Sequence, residues 1–139
     1  MPVNICMIHF ITPSLGRNSL HRAIDSLYKQ TIPDWRATVC FDRVKPIIEP
    51  TDKVNVMTYD SPTPVQWRAG AIRNHILSKI DTEWIGLLDD DDSLTPNYIE
   101  KLYELKDQAD IVVFQMMYDS GKILPACYQD IFRRVCRGY

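Results

Sequence analysis

The sequence lacks both of the glycine-rich loops that most often bind phosphate in proteins. It contains no G-x-G-x-x-G fingerprint and no G-x-x-x-x-G-K-[ST] motif, and only five of its 139 residues are glycine. A Rossmann-type or P-loop phosphate cradle is therefore excluded. If the protein binds a phosphorylated ligand, side chains or a metal ion have to hold it.

An excess of positive charge is also absent. Sixteen Lys and Arg residues against 18 Asp and Glu residues give a net charge of −2, so no basic surface is available for nucleic acid, and we expect no such partner. No apolar run approaches the ~20 residues of a membrane span. The N-terminus lacks the charged and apolar regions of a signal peptide. We therefore expect no membrane span and a cytoplasmic location.

The four cysteines show no C-x-x-C spacing, which disfavours a zinc site; they are Cys6, Cys40, Cys127 and Cys136. The first two lie in apolar, strand-like runs, where a small buried thiol is the usual finding. His9 lies in the same kind of run, so we expect it to be a hydrogen-bonded core residue rather than a metal ligand.

Four consecutive aspartates, residues 89–92, follow directly after the apolar run of residues 84–88. Neighbouring carboxylates repel and raise each other's pKa, and neither a helix cap nor a turn needs four of them. A hard divalent cation prefers such oxygen ligands and offsets their repulsion. The block therefore predicts a cation at the end of a strand, where a metal commonly handles phosphate.

Strand-like and helical patterns alternate along the chain. The apolar patterns predict strands at residues 3–11, 35–41, 54–59, 84–88 and 110–118, and helices at residues 20–28, 65–80, 95–106 and over the last ten residues. This order predicts one α/β domain over residues 1–139, with a mostly parallel, twisted sheet and helices on both faces.

In such sheets, ligands bind at the carboxyl ends of the strands. Three predicted strand ends carry polar residues or proline: Thr12 and Pro13 at the first, Asp42 at the second, and the aspartate block at the fourth. The helix before the fourth strand adds Arg68 and Arg73. A nucleoside diphosphate and its metal require such a set of side chains. Carboxylates bind the metal ion and the nucleotide base, and arginines balance the charge of the phosphates.

Three segments in this order resemble the nucleotide-sugar glycosyltransferases of family 2, which have the GT-A fold. Residues 28–42 are similar to the family's helix end, Q-T-x-P-D turn and second strand. Residues 71–74 resemble its A-R-N helix motif, and residues 88–96 resemble its L-D-x-D-D signature and the helix start that follows. The resemblance covers roughly residues 3–118.

The resemblance implies roles for individual residues in binding a nucleotide-diphosphate sugar. Asp42 would bind the base, and Asp91 would bind Mn²⁺ or Mg²⁺. Asp89 would share the metal site or contact the ribose. Asp90 falls in the variable place of the motif. It is included among the donor-binding candidates, and the favoured alternative is a solvated charge.

The remaining donor-binding candidates are less specific. Arg68 and Arg73 would contact the donor, although Arg73 could instead form an ordinary exposed ion pair. Thr12 and Pro13 would lie beside the donor at the end of the first strand. Asp92 would orient Arg73 or cap the next turn.

The predicted division of labour is a nucleotide-sugar-binding half over residues 1–95 and a reduced acceptor-side half over residues 96–139. Near the C-terminus, Asp130 faintly resembles the family's catalytic base, which would deprotonate the acceptor hydroxyl. The alternative is a surface aspartate near a helix start, where the helix dipole favours negative charge.

Two functions follow from these features. The first is a metal-dependent glycosyltransferase that inverts the anomeric centre and uses a carbohydrate, lipid or protein acceptor. The second is a non-catalytic or partner-dependent nucleotide-sugar-binding module. A homo-oligomer is compatible with both.

Overall fold

A four-stranded parallel sheet organises the first part of the chain. The computed structural model describes residues 6–60 and 62–125. Its first four strands are β1 (Ile8–Ser14), β2 (Trp35–Asp42), β3 (Val54–Tyr59) and β4 (Trp84–Leu87), arranged in the order β3-β2-β1-β4. All three neighbouring pairs are parallel. The predicted mostly parallel α/β sheet is confirmed.

Three helices connect or follow these strands: α1 (Ser19–Tyr28), α2 (Arg68–Leu77) and α3 (Tyr98–Leu105). A 3₁₀ turn, Val65–Trp67, precedes α2 where the sequence predicted the start of the helix. The third helix begins later than predicted because Thr95 accepts a turn hydrogen bond from the Tyr98 N–H at 3.1 Å. None of the helices in the described part of the chain combines the length and apolar character needed to cross a membrane.

Helices pack on both faces of β1. Ile11 joins Ile72 and Ile76 of α2 in one buried apolar cluster. Phe10 points to the opposite face, because successive strand residues alternate, and its ring centre lies 5.8 Å from that of Tyr98 in α3. The predicted arrangement with helices on both faces is therefore confirmed.

Gly86 explains how β4 fits beside β1. It lies opposite Phe10 in the strand register, and a Cβ atom at this position would stand 2.4 Å from the Phe10 Cδ1 atom. A glycine inside a strand often marks such a close approach. Any side chain here would have to push the Phe10 ring out of the core.

The described chain divides into two compact units, the first ending at Lys101 and the second beginning at Leu102. In the second, Met116–Met117 (β5) and Ile123–Leu124 (β6) form a short antiparallel pair. The strand predicted over residues 110–118 is therefore wrong along most of its length. An apolar pattern becomes a strand only with a hydrogen-bonding partner, and Ile111 is instead 80% exposed.

The boundary of the units does not test the predicted functional halves, so the division after residue 95 stays a prediction. The helix predicted for the last ten residues lies outside the described part of the chain, as do Cys127 and Cys136.

The predictions for the buried thiols and His9 are confirmed. Cys6 and Cys40 are buried and free, and burial together with the charge of Asp42 raises the pKa of Cys40 to about 11. His9 is buried and its Nε2 lies 2.8 Å from the Thr38 hydroxyl. Burial, followed by the positive charge of Arg36, lowers the pKa of His9.

Candidate functional site

A cleft of about 440 Å³ lies at the edge of the sheet where β1, β2 and β4 end. This volume is within the usual range for small-molecule sites. Seven charged side chains line it: Arg17, Asp42, Arg68, Arg73, Asp89, Asp90 and Asp91. The topology thus gathers residues that are far apart in sequence, as expected for the carboxyl ends of parallel strands.

Most of the residues predicted for the site line this cleft. Pro13 lines it together with the predicted arginines and aspartates. Thr12 does not, because it is fully buried within β1. Its Oγ1 has no hydrogen-bond partner among the described residues. Asp130 lies outside the described part of the chain, so its role as a base stays a prediction.

The aspartate block continues the alternation of β4 beyond the end of the strand. Leu88 is buried, Asp89 is exposed, Asp90 is buried and Asp91 is exposed. The block itself forms a turn, in which the Asp92 N–H donates to the Asp89 carbonyl at 3.2 Å, and this turn directs the Asp90 carboxylate inwards. The interpretation of Asp90 as a solvated charge is therefore wrong, since only 6% of this residue is exposed.

Asp90 ties the aspartate block to the loop that follows β1. Its Oδ2 accepts hydrogen bonds from the Ser14 hydroxyl at 2.9 Å and from the Leu15 N–H at 3.2 Å. The Ser14 hydroxyl in turn accepts one from the Gly16 N–H at 3.0 Å. Gly16 has a φ of 77°, a left-handed conformation that glycine adopts at little cost. Asp90 and this glycine together fix the path of the loop.

The loop brings Arg17 to the aspartates, a contact that the sequence interpretation missed. The Arg17 Nη1 lies 3.0 Å from the Asp91 Oδ2 and 3.9 Å from the Asp90 Oδ1. A second arginine, Arg22, donates to the backbone carbonyl of Asp91 at 2.8 Å rather than to its carboxylate. Asp42 is the last residue of β2, whereas Arg17 lies in the loop beyond β1, so the topological rule that identified Asp42 did not identify Arg17.

Arg73 and Asp89 form the second ion pair of the cleft. The Arg73 Nη2 lies 2.5 Å from the Asp89 Oδ1, and 29% of the arginine side chain is exposed. Its Nε is buried and has no hydrogen-bond partner within the described residues. Arg68, at the start of α2, donates from Nε to the Thr63 carbonyl at 3.2 Å. Arg73 is thus more enclosed than an ordinary surface pair and has a donor to spare.

Asp42 brings a buried carboxylate to the end of β2. It is 7% exposed, and its Oδ1 lies 3.8 Å from the Arg43 Nε. That oxygen accepts no hydrogen bond from the described residues. A buried acceptor without a donor costs free energy, and an N–H or O–H group of a ligand in the cleft would remove that cost.

Asp92 closes the block without the contact that the sequence suggested. Arg73 pairs with Asp89 instead. Burial, followed by the charges of Asp91 and Asp89, raises the pKa of Asp92, while Arg22 lowers it. The carboxylates of the block therefore still repel each other in the fold, despite the arginines beside them.

The residues of the cleft fit a metal ion that is shared with a ligand. Within residues 6–60 and 62–125, no group of three or more His, Cys, Asp or Glu side chains is arranged to hold a metal ion alone. Mg²⁺ is commonly bound by one or two carboxylates, with substrate phosphates and waters completing its shell. Asp89 and Asp91 are two half-exposed carboxylates on the same cleft, which suits that arrangement.

Comparison with protein families gives a match over most of the chain. The model described as "Glycosyl transferase family 2" matches residues 10–129. A search of curated proteins found no significant match.

Solved structures share the fold of the chain. A crystal structure of S. aureus TarS 1-349 has a TM-score of 0.57 and 17% sequence identity, and the match covers 81% of this chain and 40% of that one. The same fragment in complex with UDP-GlcNAc has a TM-score of 0.58 at 17% identity, covering 81% and 38%. In complex with UDP, the TM-score is 0.56 at 16% identity, covering 81% and 39%. The chain thus spans about two fifths of the length of these structures.

Proposed function

The chain belongs to glycosyl transferase family 2, and from this premise we propose that it transfers a sugar from a nucleoside diphosphate to an acceptor with the help of a divalent cation. The observation that carries the proposal is the cleft at the sheet edge, where carboxylates and arginines from several elements meet. The complexes of the TarS fragment with UDP-GlcNAc and UDP support a uridine nucleotide as the first donor to test.

The chain's own side chains account for donor binding in two parts. The unsatisfied Oδ1 of Asp42 would accept a hydrogen bond from the base or the ribose. Arg68 and Arg73 would balance the negative charge of the diphosphate, since guanidinium groups pair well with phosphate oxygens. The spare Nε of Arg73 is available for such a contact.

Asp91 and Asp89 are the residues that would hold Mn²⁺ or Mg²⁺. When bound, such a cation would act as a Lewis acid that stabilises the departing nucleoside diphosphate. Neither carboxylate is enclosed, so both are accessible to a cation that arrives with the donor. Asp90, which is buried and hydrogen-bonded to the loop after β1, would position this site without binding the metal itself.

We propose an inverting, single-displacement transfer. The acceptor hydroxyl oxygen would form a bond to the anomeric carbon as the bond from that carbon to the diphosphate breaks. The proton of the hydroxyl would pass to a carboxylate base. Asp130 is the proposed base, and replacing it with Asn should abolish turnover while donor binding, measured by calorimetry, stays unchanged.

Thermal unfolding with nucleoside diphosphates tests the donor site. UDP, GDP and the corresponding sugar nucleotides, each with and without Mn²⁺, are added to the purified chain. A ligand at one hundred times its dissociation constant stabilises the fold by about 2.7 kcal/mol, which is easily seen as a shift in Tm. Asp91→Ala should remove the metal-dependent part of the shift. The proposal is wrong if no diphosphate stabilises the wild-type chain when Mn²⁺ is present.

The second candidate function is a nucleotide-sugar-binding module that is inactive alone or needs a partner. It is favoured by one observation, that every charged side chain to which a role is assigned in this cleft belongs to the proposed donor side, and none to an acceptor site. Donor hydrolysis or transfer by the purified chain would separate an enzyme from a module. Four further points stay proposals: the two functional halves, the nature of the acceptor, a homo-oligomeric state and a cytoplasmic location.

A further inference from the structure

The carboxylate proposed to bind the metal already has a cationic partner within the chain. The Arg17 Nη1 lies 3.0 Å from the Asp91 Oδ2, the closest contact between these side chains. A divalent cation on the same carboxylate would face a positive guanidinium at short range, and like charges so close repel strongly. Arg17 and the metal therefore compete for Asp91.

Arg17 is able to leave Asp91 without leaving the cleft. Its side chain is 53% exposed, and its only other ion-pair contact among the described residues is a long one, 3.9 Å to the Asp90 Oδ1, so little holds the guanidinium at Asp91. Its backbone, in contrast, follows a loop that the buried Asp90 carboxylate holds by two hydrogen bonds. The Arg17 side chain can therefore change rotamer while its backbone stays in place. The side chain already lines the proposed diphosphate site.

We infer that Arg17 is an exchangeable counter-cation, which neutralises Asp91 when the donor is absent and transfers to the donor diphosphate when a metal ion takes Asp91. This inference rests on the proposed function, because it presumes a diphosphate and a metal in this cleft. It adds Arg17 to the donor site, with Asp91 as its partner before the donor binds and the diphosphate as its partner afterwards. Arg73 differs, because it is less exposed and pairs with Asp89 at 2.5 Å.

Without a donor, Asp89 and Asp91 offer Mn²⁺ only a weak two-carboxylate site. Mn²⁺ alone, titrated to millimolar concentration, is therefore the probe for the first half of the exchange. Arg17→Gln removes the competing charge, and its affinity for Mn²⁺, measured by calorimetry, should rise about fivefold, the upper value for releasing a half-exposed ion pair. Arg22→Gln is the matched control. It removes the same charge, but this arginine bonds the Asp91 carbonyl rather than its carboxylate, so Mn²⁺ affinity should change by less than about twofold.

UDP at saturating Mn²⁺ is the probe for the second half. Arg17→Gln should bind UDP about fivefold more weakly than the wild type, because a guanidinium–phosphate contact is lost. Arg17→Lys keeps the charge and should recover part of the affinity. Arg22→Gln should bind UDP as the wild type does. Unfolding in the absence of ligands checks that each variant is folded.

The outcomes separate the inference from the proposed function. If Arg17→Gln binds Mn²⁺ no more tightly than the wild type, or if neither binds it, the exchange is wrong. It is also wrong if Arg22→Gln reproduces both effects, since general charge would then explain them. If wild-type UDP binding with Mn²⁺ is normal in those cases, the proposed donor site survives. If the wild type binds no diphosphate at all, the proposed function itself fails.

Discussion

The middle of the sheet and its carboxyl edge are built from the same strands but differ in what they bury. In the middle, Phe10, Ile11 and Cys40 are fully enclosed and pack against helices on the two faces. At the edge, a few residues further along the same strands, Ser14 and Asp42 are just as enclosed but polar. In β1 the change from apolar to polar burial occurs between Ile11 and Ser14, and in β2 it occurs between Cys40 and Asp42.

The two regions also differ in how completely their groups are satisfied. Apolar side chains in the middle contribute free energy simply by leaving water. At the edge, the Asp42 Oδ1 and the Arg73 Nε are buried without hydrogen-bond partners among the described residues, and Asp92 has a raised pKa. Such unmet interactions cost stability and are common where a ligand completes them. We therefore expect substitutions in the middle to change stability, and substitutions at the edge to change binding.

Gly86→Ala should give the largest effect, and it acts on the middle of the sheet. The new Cβ would lie 2.4 Å from the Phe10 ring, so overpacking should lower the free energy of unfolding by about 3 kcal/mol, measured by urea denaturation. Gly70→Ala is the control, because no atom lies within 4 Å of its added Cβ. In helix α2 this change should be neutral or stabilise by up to ~1 kcal/mol. Equal effects at both glycines would contradict the proposed packing.

Asp42→Asn should give the next largest effect, and it acts on the edge. Replacing the charged acceptor should weaken UDP binding by about tenfold, or ~1.4 kcal/mol. The free energy of unfolding without ligand should stay the same or rise, because the buried charge lacks a hydrogen bond at Oδ1 and its ion pair with Arg43 is long, at 3.8 Å, and half-exposed on the arginine side. Asp81→Asn, an exposed position outside the cleft, is the control for both measurements. A loss of stability without a loss of binding would place Asp42 with the middle of the sheet.

His9 offers a pH test of the middle of the sheet. Its pKa is lowered in the folded state by burial and then by Arg36, so the unfolded chain takes up the proton first as pH falls. The contribution to stability is therefore complete above pH 6.5, the ordinary value for histidine. It is lost as pH falls from there towards the lowered pKa, with a slope of up to about 1.4 kcal/mol per pH unit. His9→Gln should flatten that slope in urea denaturation, whereas His21→Gln, on the exposed side of α1, should not.

The sequence predicted the middle of the sheet better than the edge, for a physical reason. Four of the predicted strands exist because apolar runs record burial directly, although β1 begins at Ile8 rather than at residue 3. The predicted strand over residues 110–118 failed because exposure and pairing depend on partners that the run itself does not contain. The helix starts also differ from the predicted ones, because backbone hydrogen bonds form turns before the helices begin, as between the Tyr98 N–H and the Thr95 carbonyl.

At the edge, the rule that ligands bind where parallel strands end correctly brought Asp42, Arg73 and the aspartates together. Interpreting Asp90 as a solvated charge missed its burial, which depends on the turn after β4 and on the hydrogen bonds to Ser14 and Leu15. Arg17 was missed because its position depends on the turn at Gly16 and on the hydrogen bonds to Asp90, which form only in the fold. Residues placed by a strand were thus predictable, and residues placed by a loop were not.

Asp92→Asn should give the smallest effect, and it tests whether the edge gives up stability. Burial and the charges of Asp91 and Asp89 raise the pKa of Asp92, so its ionised form is disfavoured in the fold at neutral pH. Removing the charge should raise the free energy of unfolding by ~0.5 kcal/mol at pH 7. The gain should shrink as pH falls below the raised pKa, where the folded wild-type carboxyl becomes protonated, and should be gone below pH 3.8, the ordinary pKa value that applies to the unfolded chain. Asp89→Asn is the control and should give no such gain, because it removes the ion-pair partner of Arg73. A gain at both positions would mean that stability at this edge is limited by total negative charge rather than by the environment of Asp92.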